Sequence, residues 1–355
     1  MRKTLIALMA ALLGAAAAAP VSAAPAPGAG YGIALWASGS MTDCSNGQAS
    51  PTCYYNPDSI THLGGEVFVG YQNNGAADGT TGSSEVVQYT GAATGTPVAY
   101  FHLPGKNDGL RVDPATGYVW ALSNEDANPI LTILHPGTPA GTPSTYHLDT
   151  ETKFAGGYDD IAFTPSGTFI SASNPGGNQQ GSNNYRAIVA IHFNGSGEPV
   201  LTPILEGSPT GTDRATGAQV KVNLTDPDSL SVDTAGDLVL NDQGDSTLVF
   251  VTNPGTANQS VSFSFLQPGS PIVDESTWAA SANGHFLVAN HNQPGQVYSL
   301  TRAGGFVASQ AYTTVSNDKP TAPAARSIST LDSHTGAVTP VVTGFSSPKG
   351  LEFIP

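Results

Sequence analysis

Charge is scarce in this chain. Of its 355 residues only 11% are Asp, Glu, Lys or Arg, against roughly 25% in an average soluble domain. Surface helices draw heavily on Glu, Lys and Arg, so the scarcity argues against a helical protein. Basic residues are scarcer still, 12 against 27 acidic ones, for a formal net charge of −15. Nucleic acid and anionic membrane surfaces are therefore set aside as partners, because binding phosphate needs clustered Lys and Arg. A cationic or neutral small ligand, or a metal ion, fits the balance better. Cysteine occurs only as Cys44 and Cys53. With no His or third Cys nearby in sequence they do not make a zinc site. In an oxidising compartment they are expected to pair and close one small loop, two free thiols being the alternative. After the N-terminal segment no run of 18 apolar residues follows, so no transmembrane helix is expected. There is no GxSxG elbow, no EF-hand loop and no placeable Ser-His-Asp set. The GAG at 28–30 and the GSG at 195–197 lack a surrounding βαβ unit and are not nucleotide fingerprints.

What is abundant is turn chemistry. Gly (41) and Pro (27) make up about a fifth of the chain, and aliphatic and aromatic residues are present in normal amounts. That combination reads as all-β with many turns. The N-terminus stands apart from it. Arg2 and Lys3 precede the uncharged apolar run Leu5 to Ala19, and Val21-Ser22-Ala23 supplies a small-x-small cleavage pattern. Residues 1–24 thus read as a signal peptide cleaved near Ala23 or Ala24, and residues 25–355 as one domain that is secreted or periplasmic.

One unit recurs along that domain: a strand start with an acid, a tight turn, then a more apolar strand. The starts are Asp58-Ser59-Ile60, Asp108-Gly109-Leu110, Asp159-Asp160-Ile161, Asp228-Ser229-Leu230 and Glu275-Ser276-Thr277-Trp278, and a sixth, Lys349-Gly350-Leu351, ends the chain. The spacings are 50, 51, 69, 47 and 74 residues. With further alternating segments between copies, four strands per repeat is the mark of a β-propeller blade. Six blades are expected, closed by placing the N- and C-terminal strands in one blade. Five or seven are left open, because 296–345 holds two strand pairs that either of the last blades could take.

In a propeller the first strand of each blade lines the channel, so the six strand openers should ring one mouth. Asp58, Asp108, Asp159, Asp228, Glu275 and Lys349 make five carboxylates and one ammonium. Seven residues after each turn glycine come Gln72, Asn124, Asn174, Gln243 and His291, which should lie beside them. Two carboxylates ~5 Å apart repel by roughly 3 kcal/mol at an effective dielectric of ~20. Such a ring must hold protons or a cation. Its oxygen-rich donor set suits Ca2+ first, and Mg2+ or Mn2+ next. For a single Asp at a turn, capping of backbone N–H groups is the competing role. Asn124-Glu125-Asp126 and Asp242-Gln243-Gly244-Asp245 could add ligands.

The starts NDGLRVD and PDSLSVD, with ESTW at 275–278, resemble the strand starts of the senescence marker protein/gluconolactonase-like propellers. NHL-type and YVTN-type secreted propellers look similar at this level. The resemblance implies one divalent metal held by a Glu, an Asn and an Asp, and hydrolysis of lactones or organophosphate esters. By position, Glu275 matches the Glu, Asp228 the Asp, and Asp108 replaces the Asn. The order differs as well, since the family's Glu lies near the N-terminus. Taken together, the expectation is a divalent-cation site, Ca2+ above all, built from Glu275, Asp228, Asp108 and Asp159 with Asn174 and Asn124. Asp108 or His291 would move the proton in a lactone or ester hydrolysis by a monomeric enzyme. A non-catalytic binding propeller with a structural charge ring is the alternative.

Overall fold

The computed structural model describes residues 24–42, 44, 52–137, 140–150, 156–173, 185–316 and 326–355. The expected signal peptide, apart from Ala24, and Asn174 lie outside them. No helix occurs among the described residues, and the strands form six radial sheets and one small two-stranded sheet, Ser40–Met41 with Cys53–Tyr54. The innermost strands are Pro57–Leu63, Asn107–Val112, Tyr158–Thr164, Pro227–Val232, Val273–Trp278 and Pro348–Ile354, for blades 1 to 6 in that order. Each packs against the innermost strand of the next blade, and the sixth packs against the first, so the ring closes. Six apolar clusters sit at the six blade–blade seams. For example, Trp120, Leu122, Ile161 and Ile170 fill the seam of blades 2 and 3, and Trp36, Ile60, Tyr71 and Leu287 that of blades 6 and 1. This is the expected result of strands apolar on both faces, which must be covered on both sides.

Blades 1 to 3 are contiguous four-stranded meanders. Blade 4 gains a hairpin, Thr210–Asp213 with Gln219–Lys221, whose first strand runs parallel to the blade's outer strand Ser260–Phe265. Blades 5 and 6 depart from the repeat. The fifth copy was expected to be one hairpin, but Val273–Trp278 pairs with Ala311–Val315, while His285–Asn290 pairs with Pro348–Ile354. The hairpin 285–302 therefore belongs to blade 6, and blade 5 is completed by strands from 311–343. The physical reason lies in the connection. Residues 279–284 form a six-residue link, long enough to cross to the next blade. Blade 1 turns on only Gly64 and Gly65 between paired Leu63 and Glu66. Both chain ends meet in blade 6: Tyr31–Ser38 is its outer strand and Pro348–Ile354 its inner one, with 285–302 between them. Ala26–Pro27 extends the outer edge of blade 5. Cys44 and Cys53 are disulfide-bonded.

Candidate functional site

All six innermost strands begin alike. The first residue pairs with the neighbouring strand, the next two do not, and the fourth resumes pairing, as with Pro57 and Ile60 against Tyr71 and Val69. The same interruption occurs in the other five blades. A bulge of this kind turns two consecutive side chains away from the ladder. The second position of the bulge carries Asp58, Asp108, Asp159, Asp228, Asp274 and Lys349. Four of the expected Asp openers and Lys349 are thus where the repeat put them. In blade 5 the ring residue is Asp274, and Glu275 sits at the third position, one layer deeper.

The third position joins each blade to the next. Ser59 donates from its hydroxyl to the Asp108 carbonyl, and Ser229 to the Asp274 carbonyl at 2.7 Å. Asp160 accepts from the Leu230 N–H at 3.0 Å, and Glu275 from the Leu351 N–H at 2.9 Å. Gly109 and Gly350 complete the set: a Cβ at either would collide with the carbonyl oxygen of Asp159 or of Asp58. Glu275 is thereby a seam residue one layer below the ring, and it also borders the channel-mouth cavity.

The ends of the second strands are equally regular. The N–H of Gln72, Asn124, Ser173, Gln243, Ser316 and His291 each donates to the carbonyl just before an innermost strand. Ser173 occupies in blade 3 the place expected of Asn174. The count slipped because Gly167 follows the two-residue turn 165–166, whereas Gly65 lies within its own turn. Asn124 does not join the ring. Buried at 2% exposure with φ at 70°, it accepts from the Lys106 N–H at 3.1 Å and donates to the Asn128 carbonyl at 3.0 Å. It holds a loop, which is the capping role weighed against ligation. His291 belongs to blade 6, away from Glu275, and faces Asp58 at 3.7 Å.

Most of these residues line a cavity of about 630 Å³ at the channel mouth, and among the described residues no Phe, Tyr, Trp or aliphatic side chain is in its wall. Asp108, Asp159 and Glu125, the last from the loop after blade 2's second strand, bring one carboxylate oxygen each within 4.8 Å of one another. Lys106 pairs with Glu125 and lies 3.5 Å from Asp108. Gln72 donates to Asp108 Oδ1 at 2.5 Å, whereas Asp108 Oδ2 is buried without a hydrogen-bond partner among the described residues. Gln243 donates to Asp228 and, at 3.1 Å, to Asp274. Lys349 pairs with Asp274 at 2.9 Å.

So many acids in one place share protons. Burial, with Glu125 adding, pushes Asp108 well above the carboxylate range. Burial and then Asp228 do the same to Asp159, and the two carboxyls hydrogen-bond to each other. Burial would also raise Asp58, but His291, Lys349 and Lys106 outweigh it and hold Asp58 below its ordinary value. Burial would lower Lys106, and Asp108 and Glu125 raise it instead.

Beneath the cavity lies a group that sequence patterning did not single out. Arg111 reaches across the channel to Asp160 at 2.7 Å, Glu275 at 3.1 Å and Glu352 at 3.8 Å. It also donates to the Ile161 and Leu230 carbonyls at 3.1 and 3.3 Å. Glu352 in turn pairs with His62 at 2.6 Å. Burial raises Glu275 to about 8, against the opposing pull of Arg111.

No protein-family model matches the chain, and no curated protein matches it. Solved structures similar to it are distant in sequence. A periplasmic gluconolactonase from Pseudomonas aeruginosa is 13% identical, covers 84% of this chain and 88% of its own, and has a TM-score of 0.48. A protein of unknown function from Bacteroides caccae is 11% identical over 84% and 86%, with a TM-score of 0.47. A virginiamycin B lyase from Staphylococcus aureus is 10% identical over 78% and 100%, with a TM-score of 0.35. The six-bladed assignment stands on the strand pairing of this chain, and the reading of the site on its own residues.

Proposed function

We propose that the channel-mouth cavity binds one hard divalent cation, of the calcium class, through Asp108, Glu125 and Asp159, and that it hydrolyses a small lactone or ester. The observation that carries this is Asp108 Oδ2. It is an acceptor on a residue only 5% exposed, without a hydrogen-bond partner, in a group of three carboxylates whose oxygens lie within 4.8 Å. Leaving a buried polar atom unmet is costly, and a hard cation, displacing the protons these acids share, is the partner such oxygens favour. Glu125 takes the place the sequence had given to Glu275. A cation bound there would supply a Lewis acid for a carbonyl oxygen.

The chain's own residues provide the proton chemistry. Asp58, held ionised, faces His291 Nδ1 at 3.7 Å. His291 is the ring's imidazole, and in this reading it takes the proton from water. Lys106 and Lys349 limit the negative charge of the wall, and the polar lining suits a hydrophilic neutral or cationic molecule. The Cys44–Cys53 disulfide supports a secreted or periplasmic location, in line with the leader.

One observation favours the alternative of a non-catalytic binding propeller: the Lys106 ammonium already pairs with two of the three carboxylates. Calorimetric titration with calcium separates the two readings when paired with turnover on lactones, aryl esters and phosphotriesters. One equivalent bound, lost in Asp108→Asn, with chelator-sensitive turnover is expected. Binding without turnover leaves the binding module. No binding to wild-type protein rejects the cation site.

A further inference from the structure

The Arg111 guanidinium lies in a cage made only of oxygen. Three carboxylates and two main-chain carbonyls surround it, contributed by blades 3, 4, 5 and 6, while Arg111 itself comes from blade 2. Carboxylates mixed with backbone carbonyls are the donor set of a hard-cation site. Elsewhere at this level the innermost strands carry small side chains, Thr61, Ala162, Ser231 and Thr277, which leave the axis open to one large group. Asp160 and Glu275 line the 630 Å³ cavity above. Arg111 and Glu352 line a second cavity of about 240 Å³ on the other side, walled by Val112, Phe163 and Val232. The Arg111 guanidinium and the carboxylates it holds therefore stand between the two.

We propose that Arg111 is the channel's resident cation: it fills a cage that would otherwise take a free cation, confines metal to the upper carboxylates, and makes the upper cavity blind. The inference adds to the cation-site reading by fixing how many cations the channel holds. Arg is suited to the task because its planar fork binds several carboxylates at once and keeps its charge at any working pH. A blind cavity has one route in and out, so product must leave by the mouth through which substrate arrived.

The test is chemical rescue of Arg111→Ala, read by thermal unfolding. The variant should melt ~5 °C or more below wild type. Millimolar guanidinium chloride should restore much of that loss by binding the folded state. Tetramethylammonium chloride, too large and without N–H donors, should not. Calorimetry should also show one more equivalent of calcium bound by the variant than by wild type. Equal effects of the two organic cations, or no rescue together with unchanged calcium stoichiometry, would overturn the proposal. If Arg111→Ala does not fold, the triple variant with Asp160→Asn and Glu275→Gln removes the uncompensated charge. It should fold and ignore guanidinium, and a guanidinium response in it would count against the cage. Wild-type protein that binds no calcium rejects the upper site alone, since guanidinium rescue reads the cage independently.

Discussion

Lys349 Nζ lies 2.9 Å from Asp274 Oδ1, a contact between the last innermost strand and the one before it in the ring. It brings a fixed positive charge into the wall of the acidic cavity. At an effective dielectric of ~20, a unit charge ~10 Å from a bound cation is worth roughly 1–2 kcal/mol. Lys349→Met should therefore tighten calcium binding about tenfold while lowering the melting temperature of the calcium-free protein. Calorimetric titration of the variant checks the first, and an affinity equal to or weaker than wild type would contradict the placement of the cation.

The pH dependence of stability has a definite sign. Glu275 is raised from 4.5 to about 8 by burial, so between those values the folded chain holds a proton that the unfolded chain has released. Stability must fall as pH rises through that window. Asp108, Asp159 and Asp228 add the same sign. Asp58, held low, opposes it only in acid, where its contribution is lost as pH falls through its folded value. Scanning calorimetry in chelator should give a higher melting temperature at pH 5 than at pH 8. Calcium should narrow the difference, because it replaces protons on the upper carboxylates, and Glu275→Gln should narrow it without calcium.

Asn124→Ala separates a loop anchor from a ligand. The side chain makes two hydrogen bonds to backbone and is 2% exposed, so its loss should cost roughly 2–3 kcal/mol. Denaturant titration reads that cost. Calcium affinity per folded molecule should be unchanged, and its loss would restore Asn124 to the ligand set.

The repeat was legible because five of the six innermost strands open with an acid, and that acid does ring the channel in Asp58, Asp108, Asp159 and Asp228. It failed at Asp274 and Glu275 for a physical reason. The bulge presents two adjacent positions to the channel, and two acids in a row give no local sign of which one rings the mouth and which one bonds the next seam. Asp159-Asp160 posed the same choice. Register in the second strands slipped by one where a turn glycine lies outside its turn, at Gly167. The exchange of the hairpin 285–302 was hidden because its strands have the same alternation whichever inner strand they pair with. Arg111 was hidden because its five oxygen partners come from positions 49 to 241 residues away in the chain.

Gly350→Ala tests how tightly the ring is drawn. An added Cβ meets the Asp58 carbonyl, which is main chain and cannot swing aside. The innermost strands of blades 6 and 1 would have to part, at a cost of ~3 kcal/mol or more. A drop in melting temperature alongside weakened calcium binding is expected. A neutral outcome in thermal unfolding would mean that the seam is slack.

Assigning 285–302 to blade 6 has a consequence for how the molecule reaches its final state on the ribosome. Blades 1 to 3 each use one continuous stretch of chain and can form as they emerge. Blade 6 needs residues 31–38, 285–302 and 348–354 together. Its outer strand must wait, unpaired, while residues 39–295 are made, and its inner strand, 348–354, comes later still. Loop closure over such distances is slow, and exposed strand edges attract wrong partners meanwhile. Synthesis of this chain thus leaves an open ring with a waiting edge until the seven-residue strand Pro348–Ile354 arrives, which is the interval in which a chaperone would find its substrate.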